Sequence, residues 1–549
     1  MTFSRQAAGA RRAATTFAVL FQIRKCVTQA TAVLLCLAAV NAPLSGGALS
    51  STARAIREEA TRANNAAAGR PLPLAAHWNT HAFSPNYQLE KIESGGYVLL
   101  SFALPGPDAA LTPAALAYYK AAIKRAAELK LPISLVGTNF ASILYEPPYY
   151  LLPASQNPNV IQRDGAIRKQ LDPMGPVEPW IDAGRRLVSS SLLQQIERWY
   201  PDPPLVVFVS NNEESRIAWT AIEQSKRFLD AYGPAHDGDF KRSVVAQGWI
   251  ERYRALLQAM RGGLIAPAWR SHSIFIGYDA FGPPHYARWE QWDDYALPTG
   301  RFIDPAPLIW DGGSPSFYLH NWNASTDYNI WSPQGEALNW VFMLREAMRL
   351  NPRFWFGFST WDGEQEKRDQ LAKVAPFTPA RYAAMVQFGL WLLRPRCVRE
   401  FRGWTDSAEK AGPWLDAILE AVGSIHRNGA LRRFWRRGEL APNRAWKHPY
   451  QSRPVERYAA EDRWFLLDTT LDPPRPYNAA TPLPVFSLSL VLGRAPRREW
   501  LLYAHAPMGS RRNVGITIPG YRQVVVDVSA GGSYYLIREN RPSPERIEP

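Results

Sequence analysis

Between Leu72 and Phe401 the chain alternates short apolar runs with amphipathic helical stretches, and this alternation limits its possible folds more than any other feature. Such a pattern buries each strand on both faces and asks for a parallel sheet covered by helices. Eight candidate strands can be placed: Ala75 to His81, Tyr97 to Ala103, Leu131 to Gly137, Leu205 to Val209, Ser273 to Tyr278, Pro307 to Trp310, Phe354 to Thr360 and Cys397 to Phe401. Helix signals fall between them. Thr112-Pro113 supplies a cap and a first-turn proline for a helix reaching Lys130, Pro179-Trp180 opens another, and further helices are expected over Glu336 to Leu350 and Pro379 to Leu393. Eight strands with intervening helices predict a closed (β/α)8 (TIM) barrel in the α/β class. The competing open, doubly wound sheet lacks its usual support, since no Gly-rich phosphate loop follows any of these strands.

The flanks have a different texture. Residues 1 to 48 read as a bacterial export signal: Arg24-Lys25, the apolar stretch Ala30 to Val40, then the small residues Ser45 to Ala48. That places the mature protein outside the cytoplasm, secreted or periplasmic. The apolar stretch is short for a membrane span, so an N-terminal anchor is the alternative and the mature chain is expected to carry no span. Residues 49–71 form an Ala- and Arg-rich linker or a first exposed helix, and the barrel is expected over 72–455. From about Trp464 short alternating runs such as Phe486 to Leu490, Trp500 to Ala504 and Gln523 to Val528 are separated by Gly and Pro turns. They predict a small antiparallel β-sandwich domain over 456–540, with 541–549 as a frayed tail.

Composition narrows the partners. The net charge is +14, yet Arg and Lys are scattered with no dense basic run, which argues against nucleic acid and for a solvated basic surface. Anionic polysaccharides stay among the possible substrates. The chain has 21 Trp, and indole faces stack on sugar CH faces, so the count favours a carbohydrate partner while most of these rings serve the core. Cys26 and Cys36 lie in the leader, leaving Cys397 alone, so neither a disulfide framework nor a cysteine metal cluster is available. There is no H-E-x-x-H and no G-x-S-x-G, and no cofactor or metal is expected.

The chemistry is expected where strands end. The run Leu205 to Val209 passes into Ser210, Asn211, Asn212, Glu213 and Glu214, an apolar strand that stops abruptly in amides and carboxylates. At the C-terminal mouth of a barrel these would project into the common pocket; the alternative is a strand followed by a polar helix cap. Asn212-Glu213 at the end of a fourth βα strand resembles the clan A glycoside hydrolases, a superfamily of retaining (β/α)8 enzymes. The resemblance covers roughly residues 72 to 405 and implies that Glu213 is the general acid/base and Asn212 the ligand of the sugar 2-hydroxyl. It also implies a nucleophilic Glu at the end of the seventh strand. Here Phe354 to Thr360 holds no acid, and Asp362, preferred, and Glu364 follow in the next loop beside Trp361. Glycoside hydrolysis needs one protonated and one ionised carboxyl group, about 5 Å apart for retention and about 6.5 to 9.5 Å for inversion. The acid-free strand leaves open an inverting enzyme, an Asp nucleophile or a non-catalytic carbohydrate-binding barrel.

Other candidate sugar-binding residues at strand ends are His77, Trp78, Asn79, Asn139, Tyr278, Asp279, Asp311, His320 and Trp322, with Trp361 as a stacking platform. Each has a plain alternative as a loop cap or packing group, and His77 is equally a satisfied core histidine.

Overall fold

The computed structural model describes residues 50–63, 69–78, 83–211, 222–278, 306–315, 344, 347–361, 376–401, 407–441, 465–467, 485–506, 509–541 and 543–549. The leader, residues 1–48, lies outside them.

Eight strands pair in parallel in one ring: β1 (Leu74–His77), β2 (Leu100–Ala103), β3 (Ile133–Gly137), β4 (Val206–Ser210), β5 (Ser273–Gly277), β6 (Gly312–Gly313), β7 (Trp355–Thr360) and β8 (Cys397–Glu400). Chain order is ring order. β8 pairs with β1 from Leu74–Cys397 to His77–Glu400, and the Ala75–Val98 bridge closes β1 onto β2, with Ala75 N donating to Tyr97 O at 2.9 Å and Leu99 N to Ala75 O at 2.7 Å. A closed parallel ring satisfies every strand edge and gathers the C-terminal strand ends at one mouth. The fold is a (β/α)8 barrel with C-terminal antiparallel sheets.

The sixth strand departs from expectation. The apolar run expected as a strand is a helical turn, Ala306–Ile309, and pairing is confined to Gly312–Gly313. A Cβ on Gly312 would stand 2.1 Å from the Trp355 carbonyl oxygen, so this close approach of β6 to β7 requires glycine.

Helices cover the ring. In α1 (Ser51–Thr61) the Ser50 hydroxyl accepts from Ala53 N, and Ala53, Ile56, Glu59 and Ala60 are buried. The linker or exposed helix expected here is therefore a packed one, and its Ile56 alone contributes roughly 1.5–3 kcal/mol by burial. α2 (Pro85–Glu93) and α3 (Pro113–Glu128) follow, the second capped by Thr112 with Pro113 at its start, as its sequence predicts. α4 (Glu178–Val188), α5 (Ser191–Trp199), α6 (Gly238–Gly263), α7 (Pro379–Leu393) and α8 (Ala408–Arg427) continue the shell.

The long β3 exit loop folds into 3-10 turns, Phe140–Tyr145 and Tyr149–Leu151, and a small hairpin, Asn159–Ile161 with Ile167–Leu171. Arg227, from the short helix Lys226–Tyr232, clamps it by donating to Asp172 at 2.9 Å and to the carbonyls of Ala154, Asn157 and Asn159.

At the C-terminus one antiparallel sheet holds β9 (Glu439–Leu440), β10 (Phe465–Leu467), β11 (Phe486–Leu492), β12 (Glu499–His505), β15 (Ser533–Arg538) and β16 (Glu545–Ile547), and a second pairs β13 (Arg511–Thr517) with β14 (Gln523–Val528). Alternation along β12 divides the cores. Trp500, Leu502 and Ala504 face the smaller sheet with Val514, Ile516, Val524 and Val526, while Leu501 and Tyr503 join the barrel core. Trp391 Nε1 of α7 donates to Tyr534 Oη at 2.9 Å across that junction. The tail expected to fray instead forms β16, paired to β15 from Tyr534–Ile547 to Leu536–Glu545.

Candidate functional site

The mouth is built from residues just past the strand ends. Trp78 follows β1, Tyr278 follows β5, Trp361 follows β7 and Phe401 follows β8. Their rings form one aromatic layer: Trp78 meets Tyr278 edge-on at 5.2 Å and Phe401 at 6.0 Å, Tyr278 stacks on Phe401 at 6.4 Å, and Trp361 meets Phe401 at 5.9 Å. Trp78 and Tyr278 are almost fully buried, while Trp361 and Phe401 are half-buried. Edge-to-face packing of this kind holds rings in fixed planes.

Hydroxyl groups set the layer's orientation. Trp78 Nε1 donates to Ser359 Oγ at 3.1 Å, and Ser359 Oγ donates to the Ser314 carbonyl at 2.8 Å, tying β1, β7 and the β6 exit together. Ser359 N also donates to Pro315 O at 2.6 Å. Behind β7 and β8, the Tyr382 hydroxyl of α7 donates to Glu400 Oε2 at 2.6 Å and lies 3.1 Å from Thr360 Oγ1. Those contacts fix the two residues immediately before Trp361 and Phe401.

Below the layer lies a charge. Arg399 of β8 is fully buried inside the barrel. Its guanidinium donates to the His77 carbonyl at 3.1 Å, reaches the hydroxyls of Ser101 on β2 and Ser134 on β3 at 3.5 Å each, and sits 5.7 Å from the Trp78 ring. Burial pushes its pKa below the usual guanidinium range.

Of the sequence candidates, the structure brings Trp78, Tyr278 and Trp361 together. His77 goes elsewhere: it is buried, Nδ1 bonds to the Trp78 carbonyl, and its ring lies 5.2 Å from Phe83 beside α2. Burial lowers its pKa to about 4, which makes it a neutral core histidine. Asn139 caps the turn Phe140–Tyr145 by accepting from Ala141 N at 2.9 Å, and its buried Nδ2 meets no acceptor among the described residues.

Asp311 is corrected most clearly. Because β6 begins after it, it stands on the barrel wall rather than at the mouth, with Oδ2 accepting from Arg261 at 2.8 Å and from Phe275 N at 2.9 Å. It is a structural acceptor. Asn79, Asn212, Glu213, Asp279, His320, Trp322, Asp362 and Glu364 lie outside the described residues. Phe401, Ser359 and Arg399 adjoin this aromatic layer and are not among the candidates read from sequence; their signal is a polar side chain inside strands 7 and 8 and an aromatic one directly after strand 8.

Among the described residues no three His, Cys, Asp or Glu side chains gather as a metal site, and no helix is long and apolar enough to cross a membrane. No family model matches the chain, and no curated protein matches it. A solved structure from Bacteroides fragilis NCTC 9343, described as a "putative alpha-galactosidase", is similar over 85% of this chain and 78% of that chain, at 10% identity and a TM-score of 0.34.

Proposed function

We propose that this chain is an exported glycoside hydrolase that cleaves O-glycosidic bonds of a polysaccharide or oligosaccharide with a pair of carboxylates. Glu213 is the acid/base, Asn212 its neighbour on the sugar 2-hydroxyl, and Asp362, in preference to Glu364, the second carboxylate with retention of configuration. The observation that carries this reading is the position of β4. It is fourth of eight in a closed ring and stops at Ser210, two and three residues before Asn212 and Glu213 in the sequence, and barrel chemistry collects past the C-terminal ends of strands. Support for the second carboxylate is similar: β7 stops at Thr360, and Trp361 is part of the aromatic layer directly before Asp362. Glu213 would protonate the departing oxygen while an ionised partner works on the opposite face of the ring.

A second reading, a non-catalytic carbohydrate-binding protein on the same barrel, is favoured by one observation: β7 (Trp355–Thr360) carries no acid. Incubation with a panel of α- and β-linked glycans separates the two. Release of reducing ends, with proton NMR showing that the first-formed anomer keeps its configuration, supports the enzyme; binding without release across the panel supports the alternative.

A further inference from the structure

The sequence has no dense basic run, but the fold assembles a basic edge from two segments. α9 (Gly429–Arg437) carries Arg432, Arg433, Arg436 and Arg437 and passes through Gly438 into β9. The β9–β11 pair Glu439–Val491 leads from Arg437 to the turn between β11 and β12, where Arg494 and Arg497 are exposed. The neighbouring acids are already engaged: Glu59 holds Arg436, Arg433 and Arg538 share Glu499, Arg498 pairs with Glu539 at 2.6 Å and Arg70 with Glu439 at 3.6 Å. Arg437, Arg494 and Arg497 are left over, exposed and with no ion pair or side-chain hydrogen bond among the described residues.

This edge stands at the end of the barrel opposite the mouth. The Gly438 carbonyl accepts from Arg70 Nη1 at 3.4 Å and from Arg394, four and three residues before β1 and β8 begin. The chain enters the fold at the same end: Arg70 N donates to Arg436 O at 3.0 Å, and Ser50, the cap of α1, is separated from the Glu59 that holds Arg436 by roughly 14 Å of helix. Upstream, residues 1–48 carry Arg5, Arg11, Arg12, Arg24 and Lys25 without an acid, around the apolar stretch Ala30 to Val40. A membrane engaged by that stretch, as an export signal or as an anchor, lies within about 35 Å of Ser50 along an extended chain.

We propose that this arginine edge docks the protein on an anionic lipid surface, with lipid phosphates as its partners, so that the mouth at the other end of the barrel faces away from the bilayer. Guanidinium forks match phosphate oxygens in geometry and charge. Each arginine close to a negative bilayer adds about fivefold to affinity, which makes about 10²-fold for Arg437, Arg494 and Arg497 together. The contact is peripheral and needs no helix that crosses the membrane. It is independent of the glycosidase reading, and the chain's net charge of +14 favours the same encounter at longer range.

The test is sedimentation of the full chain at low salt with vesicles of phosphatidylcholine alone or mixed with phosphatidylglycerol. The unmodified protein is expected to prefer the vesicles that contain phosphatidylglycerol. Arg437→Gln, Arg494→Gln and Arg497→Gln together are expected to lower that affinity by about 10²-fold, with binding to phosphatidylcholine and the melting midpoint unchanged. A charge-matched variant, Lys120→Gln, Lys124→Gln and Arg163→Gln, removes the same net charge from exposed positions on α3 and the β3 exit loop, and is expected to change affinity by less than about threefold. The leader is identical in the three proteins, so its own affinity for lipid cancels in the comparison. An equal fall in both variants, no fall in the first, or no preference for phosphatidylglycerol in the unmodified protein overturns the proposal. So does tighter binding to a sulfated polysaccharide or to DNA at matched charge, which assigns the edge to a soluble polyanion.

Discussion

Carboxylates around the outside of this barrel and the charge within it are treated in opposite ways. Beneath β1, Glu59 of α1 accepts from Arg436 at 2.5 Å, Arg62 at 3.2 Å and Leu72 N at 2.8 Å. On the wall, Asp311 is held by Arg261 and Phe275 N, and Glu197 of α5 accepts from Ile265 N and Ala266 N at 2.8 Å each. Inside, Arg399 has one carbonyl and two distant hydroxyls. A group whose bonds are already satisfied by its own chain secures the fold; a buried charge left under-satisfied costs stability.

That contrast can be broken by substitution. Glu59→Ala strands two arginines in a half-buried setting and is expected to cost about 3 kcal/mol of stability, read by denaturant unfolding, with glycan affinity unchanged in the folded fraction. Gly248→Ala comes next. A Cβ there would stand 2.1 Å from the Pro173 carbonyl oxygen where the β3 loop crosses α6, so about 1–3 kcal/mol is expected from overpacking, again with no change at the mouth.

Solution pH gives an effect spread over several groups. Burial lowers His77 and His426 to about 4 and His505 to about 3, against about 6.5 in an unfolded chain. Below pH 6.5 the unfolded chain therefore binds more protons than the folded one, so stability is complete above 6.5 and is lost as pH falls through about 4. Thermal melting between pH 7 and 4 is expected to show a falling midpoint, and a midpoint flat across that window contradicts the assignment of these histidines as neutral. The smallest effect is expected at Asp311→Asn: under about 1 kcal/mol, since the pair with Arg261 is partly exposed, and no loss of turnover. A large loss of turnover there would return Asp311 to the site.

The sequence was most informative where periodicity and caps agree. Strands 1–5, 7 and 8 lie within or overlap the apolar runs expected to form them, and Thr112-Pro113 starts its helix as expected. Strand 6 was misread because Pro307 to Trp310 is as apolar as a strand while the true strand is Gly312–Gly313, whose residues have no strand propensity; the requirement is steric, against Trp355, and emerges only when β7 is beside it. Asp311 was misplaced by the same offset. Trp78, Tyr278 and Trp361, three of the residues named from sequence, each sit just past a strand and share one aromatic layer with Phe401. Arg399 was not among those named, since a cation inside an apolar strand gives no local sign of facing inward, and its meaning depends on Ser101 and Ser134 from two other strands.

The central claim is that Glu213, which follows β4 in the sequence, protonates the leaving oxygen of a glycosidic bond. The most direct measurement is reducing-end release by the unmodified protein and by Glu213→Gln, side by side on the same glycan, with thermal melting of both. Release falling by about 10²–10⁴-fold at an unchanged melting midpoint is the predicted result. Equal release by the two proteins contradicts it.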